Sequence, residues 1–141
     1  MRKIIVTGSE SVIGKAIMEG LWWFVDDYEI IGLDKKNGQD VLDNLELIAT
    51  ADILINNAYI PVDQNALFMA WCKTNKDKAK LCVNISSQIA SAEDPSKFAT
   101  EQYYIDKKYM DEQSVEINKN HWKCKVSVIS PNITKSNLSE L

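Results

Sequence analysis

Short unbroken apolar runs alternate along this chain with stretches whose apolar residues return every third or fourth position. Lys3 to Thr7 carries Ile4, Ile5 and Val6 together, Glu29 to Asp34 carries Ile30, Ile31 and Leu33, and Asp52 to Asn56 carries Ile53, Leu54 and Ile55. Two further runs, Lys80 to Ile85 and Lys125 to Ile129, complete the set. Runs of this kind predict strands covered on both faces, as in a parallel sheet. Between them, Ile13, Ile17, Leu21 and Phe24 mark one face of a helix from about Ile13 to Phe24. Leu67, Ala70, Trp71 and Thr74 mark the inner face of a second, from Asp63 to about Lys78, and a long helix is expected from Gln102 to Lys119. Lys36-Asn37-Gly38 predicts a turn, followed by a short Asp40-Val41-Leu42 and a brief helix through Leu45 and Ile48. Together these predict an α/β fold, doubly wound in αβα layers around a reduced parallel sheet of about five to six strands. The strand order expected of a doubly wound dinucleotide-binding sheet is 3-2-1-4-5-6.

At 141 residues the chain is expected to form one domain, 1–141. Its net charge of -4 comes without a basic patch or an acidic tail, which argues against nucleic acid as a partner. No apolar run approaches membrane-spanning length. The first residues imitate a signal peptide only as far as Val6, because Thr7-Gly8-Ser9-Glu10 ends the apolar stretch. Cys72, Cys82 and Cys124 are odd in number and in no ligand pattern, so reduced thiols, a cytoplasmic location and no metal site are expected. The sequons at Asn84, Asn132 and Asn137 matter only in a secreted protein.

Candidate chemistry begins at Lys3-Ile4-Ile5-Val6-Thr7-Gly8-Ser9-Glu10-Ser11-Val12-Ile13-Gly14. A strand, a tight turn at Gly8 and a helix from Gly14 onward gather unpaired N–H groups and a positive dipole end, which suits a pyrophosphate. The middle glycine of G-x-G-x-x-G is absent, and Ser11 or the β-branched Val12 stands where it would be, so weakened dinucleotide affinity is expected. Asp34 ends the second strand about twenty residues later, where a carboxylate accepts from an adenosine ribose diol and repels a 2′-phosphate. That favours NAD over NADP, although Lys35 and Lys36 would suit a phosphate and Asp34 also reads as a turn residue. Tyr103 and Lys107 lie one helical turn apart on the same side. A free tyrosine has a pKa near ~10, and a neighbouring ammonium favours its phenolate. Tyr104 and Lys108 repeat the spacing, and a half-buried aromatic face would explain either pair.

Taken in order, the pieces Thr7-Gly8 with Ile13-Gly14, Asp34, Asp40-Val41, Asn56-Asn57-Ala58, Asn84-Ile85-Ser86-Ser87, Tyr103-Tyr104-Ile105-Asp106-Lys107 and Ser130-Pro131-Asn132 resemble the short-chain dehydrogenase/reductase (SDR) family. The resemblance covers nearly the whole chain and implies a Rossmann-like fold. It also implies an NAD(P)(H)-dependent oxidoreductase that moves hydride between a nicotinamide and a small carbonyl or alcohol. In it, Gly8, Ser11, Val12, Ile13, Gly14, Asp34, Asp40, Val41, Asn57, Ala58 and Pro131 would bind the cofactor, with Asp40-Val41 at the adenine. Tyr103 would exchange the proton with the substrate oxygen, Ser87 would steady that oxygen, and Lys107 would support Tyr103 and hold the nicotinamide ribose. Asp106 and Met110 favour the Tyr103–Lys107 pair, because they fit the small polar and inward apolar positions of that helix.

Several departures carry expectations of their own. Tyr59 replaces the usual glycine after Asn-Ala, so this loop should take a different path. The longer spacing from Ser87 to Tyr103 should be absorbed by a loop over Glu93-Asp94-Pro95-Ser96-Lys97-Phe98. Asn65 resembles in position the asparagine that anchors the family's proton-relay water, and equally reads as a helix cap. The chain is much shorter than ordinary members, with losses between the second and fourth strands, before Asp63 and after Pro131, so a pocket without its lid is expected. Two other readings therefore stand beside the oxidoreductase: a non-catalytic dinucleotide-binding or interaction protein, and a nucleotide-sugar epimerase or dehydratase. A homo-oligomer is possible through the helix at Tyr103, whose later part is polar, or through Trp22-Trp23, where the alternative is one ring in the core and one half exposed.

Overall fold

The computed structural model describes residues 1–87, 90 and 100–131. Five strands, β1 (Arg2–Thr7), β2 (Tyr28–Leu33), β3 (Ile53–Asn56), β4 (Leu81–Ile85) and β5 (Lys125–Ile129), pair all-parallel in the order β2-β1-β3-β4-β5. The chain reverses its direction of travel across the sheet between β1 and β3. That switch point opens a crevice at the carboxyl ends of these strands. Compared with 3-2-1-4-5-6, no strand lies outside β2 among the described residues. Residues 34–52 instead form two 3₁₀ turns, Lys35–Asn37 and Val41–Asp43, and a five-residue helix, α2 (Leu45–Ala49). Asp34 and Asp40 cap the two turns, and the Asn37 amide donates to the Gly32 carbonyl at 3.3 Å, covering part of the β2 edge.

Both faces of the sheet are apolar and both are covered. On one, Ile5, Leu33, Leu54, Cys82 and Val126 meet α3 (Asp63–Thr74) through Phe68, Trp71 and Cys72, and α4 (Glu101–Lys119) through Met110 and Ile117. On the other, Ile4, Val6, Ile55 and Ile85 pack against Ile13, Ile17, Met18 and Leu21 of α1 (Val12–Phe24). Burying each such aliphatic or aromatic side chain contributes about 1.5–3 kcal/mol, so the sheet is the stable platform of the molecule.

The helical stripes differ from expectation in detail. In α1 the apolar face passes from Leu21 to Val25, while Phe24 is 88% exposed. Trp22 and Trp23 are 79% and 72% exposed, so neither ring enters the core. In α3 the inward stripe sits a fraction of a turn away from the expected one. Gln64, Asn65, Phe68, Trp71 and Cys72 are buried, and Ala70 and Thr74 face outward. The helix stops at Thr74, short of Lys78, where the buried Asn75 amide donates to the Trp71 carbonyl at 2.9 Å. All three cysteines are buried free thiols. Among the described residues no helix is long and apolar enough to cross a membrane, and no group of acidic, histidine or cysteine side chains could hold a metal ion. The expected loop over 93–98 and everything after Pro131 lie outside the described residues.

Candidate active site

A cleft of about 620 Å³ opens along the carboxyl ends of the strands. Its floor is the glycine turn. Gly8 adopts φ +67, and a Cβ there would sit 3.0 Å from the Ala58 Cα and the Asn57 amide, so the turn and the loop after β3 are pressed together. Ser11 caps α1. Its hydroxyl accepts from the Gly14 N–H at 3.0 Å and the Asn57 amide at 3.1 Å, and donates to the Gly8 carbonyl at 2.9 Å. All of the hydroxyl's bonding capacity is thereby used, and it holds the turn where the middle glycine is missing. The N–H groups of Val12 and Ile13 open the helix beside it. Ser11, Val12 and Ile13 line the cleft. Gly14 does not. It is buried behind the turn, where a Cβ would run into the Gly8 carbonyl.

Thr7, fully buried at the end of β1, fixes the opposite wall. Its hydroxyl accepts the N–H groups of Asn57 and Ala58, both at 3.0 Å, setting the path of that loop. Thr7→Val is expected to leave the Ala58 N–H unpaired and the Asn57 N–H with only its 3.1 Å bond to the Ile55 carbonyl, at a cost of roughly 2 kcal/mol, whereas Thr7→Ser should cost far less. Chemical denaturation of the two variants reads the difference directly.

At the far end Asp34 accepts from the Glu10 N–H at 3.0 Å through one oxygen and from the Lys36 N–H at 3.0 Å through the other. It is therefore a turn residue, and it also faces the cleft with lone pairs to spare. Asp40 caps the second 3₁₀ turn and lies 3.8 Å from the Lys35 ammonium. Asp40 and Val41 line the cleft, and so do Lys35 and Lys36.

The near end collects Ser87, Tyr103, Lys107 and Pro131. Ser87 stands beside the Tyr103 phenol and acts on its ionisation. Burial raises the phenol's pKa and Ser87 opposes that rise, so the protein by itself favours the neutral phenol rather than the phenolate expected beside an ammonium. Lys107 is 2% exposed, and its Nζ lies 5.3 Å from the centre of the Tyr103 ring. Burial lowers its pKa to about 8, against the pull of Asp111 and Asp106. Lys108 instead sits 5.9 Å from the Tyr104 ring, and neither residue of that second pair lines the cleft.

Tyr59, Ile60 and Pro61 form a wall that the sequence pattern did not disclose. The Tyr59 ring meets Tyr103 edge-on at 4.7 Å, and its hydroxyl donates to Asp106 at 2.8 Å. Burial and the Asp106 carboxylate push its pKa well up, and its proton is committed to that carboxylate, so Tyr59 is a fixed wall. Asp106 also accepts from the Val62 N–H at 3.1 Å and the Gln102 amide at 2.7 Å. Val62 has φ 67 and ψ -44, with the Asp63 N–H donating to the Pro61 carbonyl at 2.7 Å, a γ-turn on a β-branched residue. Such strain costs on the order of 1–3 kcal/mol and is held here by Asp106. Asn65 does not cap α3. Its amide donates to the Asp106 carbonyl at 2.9 Å.

No protein-family model and no curated protein matches the sequence. Solved structures do match. A short-chain dehydrogenase/reductase oxidoreductase from Brucella ovis superposes with a TM-score of 0.72 at 19% identity, over 99% of this chain and 87% of its own. A Brucella ovis oxidoreductase of that family in complex with partially ordered NAD gives 0.68 at 17% identity, over 99% and 87%. A GDP-L-fucose synthetase from Naegleria fowleri bound to NADP gives 0.71 at 14% identity, over 93% of this chain and 50% of the synthetase. The chain thus spans about half the length of the synthetase. The likeness establishes a Rossmann-like α/β fold.

Proposed function

We propose that the cleft binds a nicotinamide dinucleotide, NAD(H) in preference to NADP(H). We further propose that its near end transfers hydride between that cofactor and a small carbonyl or alcohol in the cytoplasm. The observation that carries this reading is the convergence of Ser87, Tyr103 and Lys107 at one end of a cleft whose floor is a glycine turn and whose far end holds Asp34. The residues suit the cofactor: Gly8 leaves space that a Cβ would fill, and the start of α1 offers N–H groups to a pyrophosphate. Likeness in fold to structures holding NAD and NADP adds support.

When bound, the nicotinamide supplies or accepts the hydride. This chain's residues would do the rest. Gly8 and the first turn of α1 hold the pyrophosphate, Asp34 accepts from the adenosine ribose, and Lys107 donates to the nicotinamide ribose. In the reducing direction the neutral Tyr103 phenol gives its proton to the carbonyl oxygen as that oxygen gains charge. Ser87 donates a hydrogen bond to the same oxygen, and the Lys107 ammonium steadies the phenolate left behind.

Lys107 gives the reading a pH signature. Its ammonium is the donor, and with a pKa lowered to about 8 it is present below that pH and lost above it. NADH affinity is expected to be flat below about pH 7 and to weaken up to tenfold per unit above about pH 8. Lys107→Met should bind weakly with no such break. Fluorescence titration with NADH across this range is the test, and a flat profile in the parent protein contradicts it.

Likeness in fold to the GDP-L-fucose synthetase supports a second reading, a nucleotide-sugar epimerase or dehydratase. Thermal stabilisation by a GDP-sugar would favour it. Cofactor binding without turnover across a broad carbonyl panel would favour the non-catalytic one.

A further inference from the structure

Lys107 is fixed by residues outside its own helix. Its Nζ donates to the Gln64 Oε1 at 2.9 Å and to the Ile85 carbonyl at 2.9 Å. Gln64 is 2% exposed, in the first turn of α3. Its amide has one workable orientation, because Nε2 donates to the Asn56 carbonyl at 3.0 Å and so turns Oε1 towards the lysine. Asn56 is locked in turn. Its amide donates to the Gln64 carbonyl at 3.1 Å and to the Asn84 side chain at 2.9 Å, and Asn84 donates to the Ser114 hydroxyl at 3.0 Å. The strained γ-turn at Val62, tied to α4 through Asp106, starts α3 so that Gln64 meets Lys107.

We propose that Gln64 is the residue that positions Lys107: its side-chain carbonyl fixes the ammonium beside the Tyr59 and Tyr103 rings and keeps it protonated at neutral pH. The rings lie 5.5 and 5.3 Å from Nζ. The charged groups acting on the lysine are Asp106 and Asp111 of α4, with Tyr103 on the same helix and Tyr59 on the loop after β3. Neither carboxylate makes an ion pair with it among the described contacts, so two neutral acceptors, Gln64 and Ile85, carry its hydrogen bonding. Removing one acceptor from a buried ammonium destabilises the charged form. The consequence for cofactor binding, though not the contact itself, rests on the functional reading above.

The test is an NMR titration of the Lys107 side chain in lysine-labelled protein, with the signal assigned by its loss in Lys107→Arg. Gln64→Met keeps the volume and removes the acceptor, and should lower the Lys107 midpoint by about one unit or more. Gln64→Glu places a carboxylate at the same spot and should raise it by at least as much. If Gln64→Met fails to fold, Gln64→Glu decides alone. An unmoved midpoint in a folded variant overturns the proposal. The same variants are then titrated with NADH. A moved midpoint in protein that binds no NADH supports the positioning role and sinks the functional reading instead, whereas NADH binding with an unmoved midpoint sinks the positioning role.

Discussion

Tyr103→Phe is expected to lower turnover of a working carbonyl substrate by a factor of about a hundred or more. NADH binding should change little. The expectation follows from how the phenol is held. Its ring is fixed against Tyr59 at 4.7 Å, and Ser87, just past the end of β4, stands beside it. Burial keeps the phenol neutral, which makes it a proton donor for carbonyl reduction at neutral pH. Phenylalanine keeps the ring contact and deletes the hydroxyl with its proton. Tyr59 cannot take over, because its hydroxyl already donates to Asp106 at 2.8 Å. Tyr104→Phe is the control, since Tyr104 lies outside the cleft and its loss should leave the rate unaltered. Steady-state NADH consumption with a small aldehyde or ketone measures both. Equal rates in the parent and Tyr103→Phe would remove Tyr103 from the chemistry.

Gly14→Ala is expected to abolish measurable NADH binding and to destabilise the fold by roughly 3 kcal/mol. The added methyl has nowhere to go. It would overlap the Gly8 carbonyl and come within 3.0 Å of the Ser11 hydroxyl, which caps α1 and ties it to Asn57. Either the turn or the helix must move, and each carries part of the cofactor cradle. Gly20→Ala, in the same helix, sets the scale. Its methyl meets nothing within 4 Å, so the change should stabilise by about 0.5–1 kcal/mol through helix propensity alone. Urea denaturation of the two variants, beside NADH titration, separates a local clash from a general intolerance of substitution. Matching stabilities for Gly14→Ala and the parent would mean that the turn is looser than its geometry implies.

The strands were legible because they are continuous apolar runs, and β5 falls on Lys125–Ile129 as its pattern predicts. Helix ends were less so. Asn75 stops α3 by bonding back to Trp71 and across to Ala49, a tertiary contact that no periodicity encodes. The pair at Trp22 and Trp23 could be read as an exposed patch or as one ring in the core and one half exposed; both rings are exposed, because the α1 stripe runs through Ile13, Ile17, Met18 and Leu21. In the site, Ser87, Tyr103 and Lys107 could be named from spacing and resemblance. What holds them could not. Gln64 and Lys107 are 43 positions apart, and Tyr59 and Asp106 are 47 apart, so their hydrogen bonds leave no trace in local pattern. Tyr59 in a glycine's usual place was the one visible sign that this wall is built differently.

Titrating the protein with NADH and with NADPH, while following nicotinamide fluorescence, tests the central claim most directly. Saturable binding of NADH that is tighter than that of NADPH and absent in Gly14→Ala is the expected result. Binding of neither would mean that the glycine turn and Asp34 form no cofactor site, and the oxidoreductase reading would fall with them.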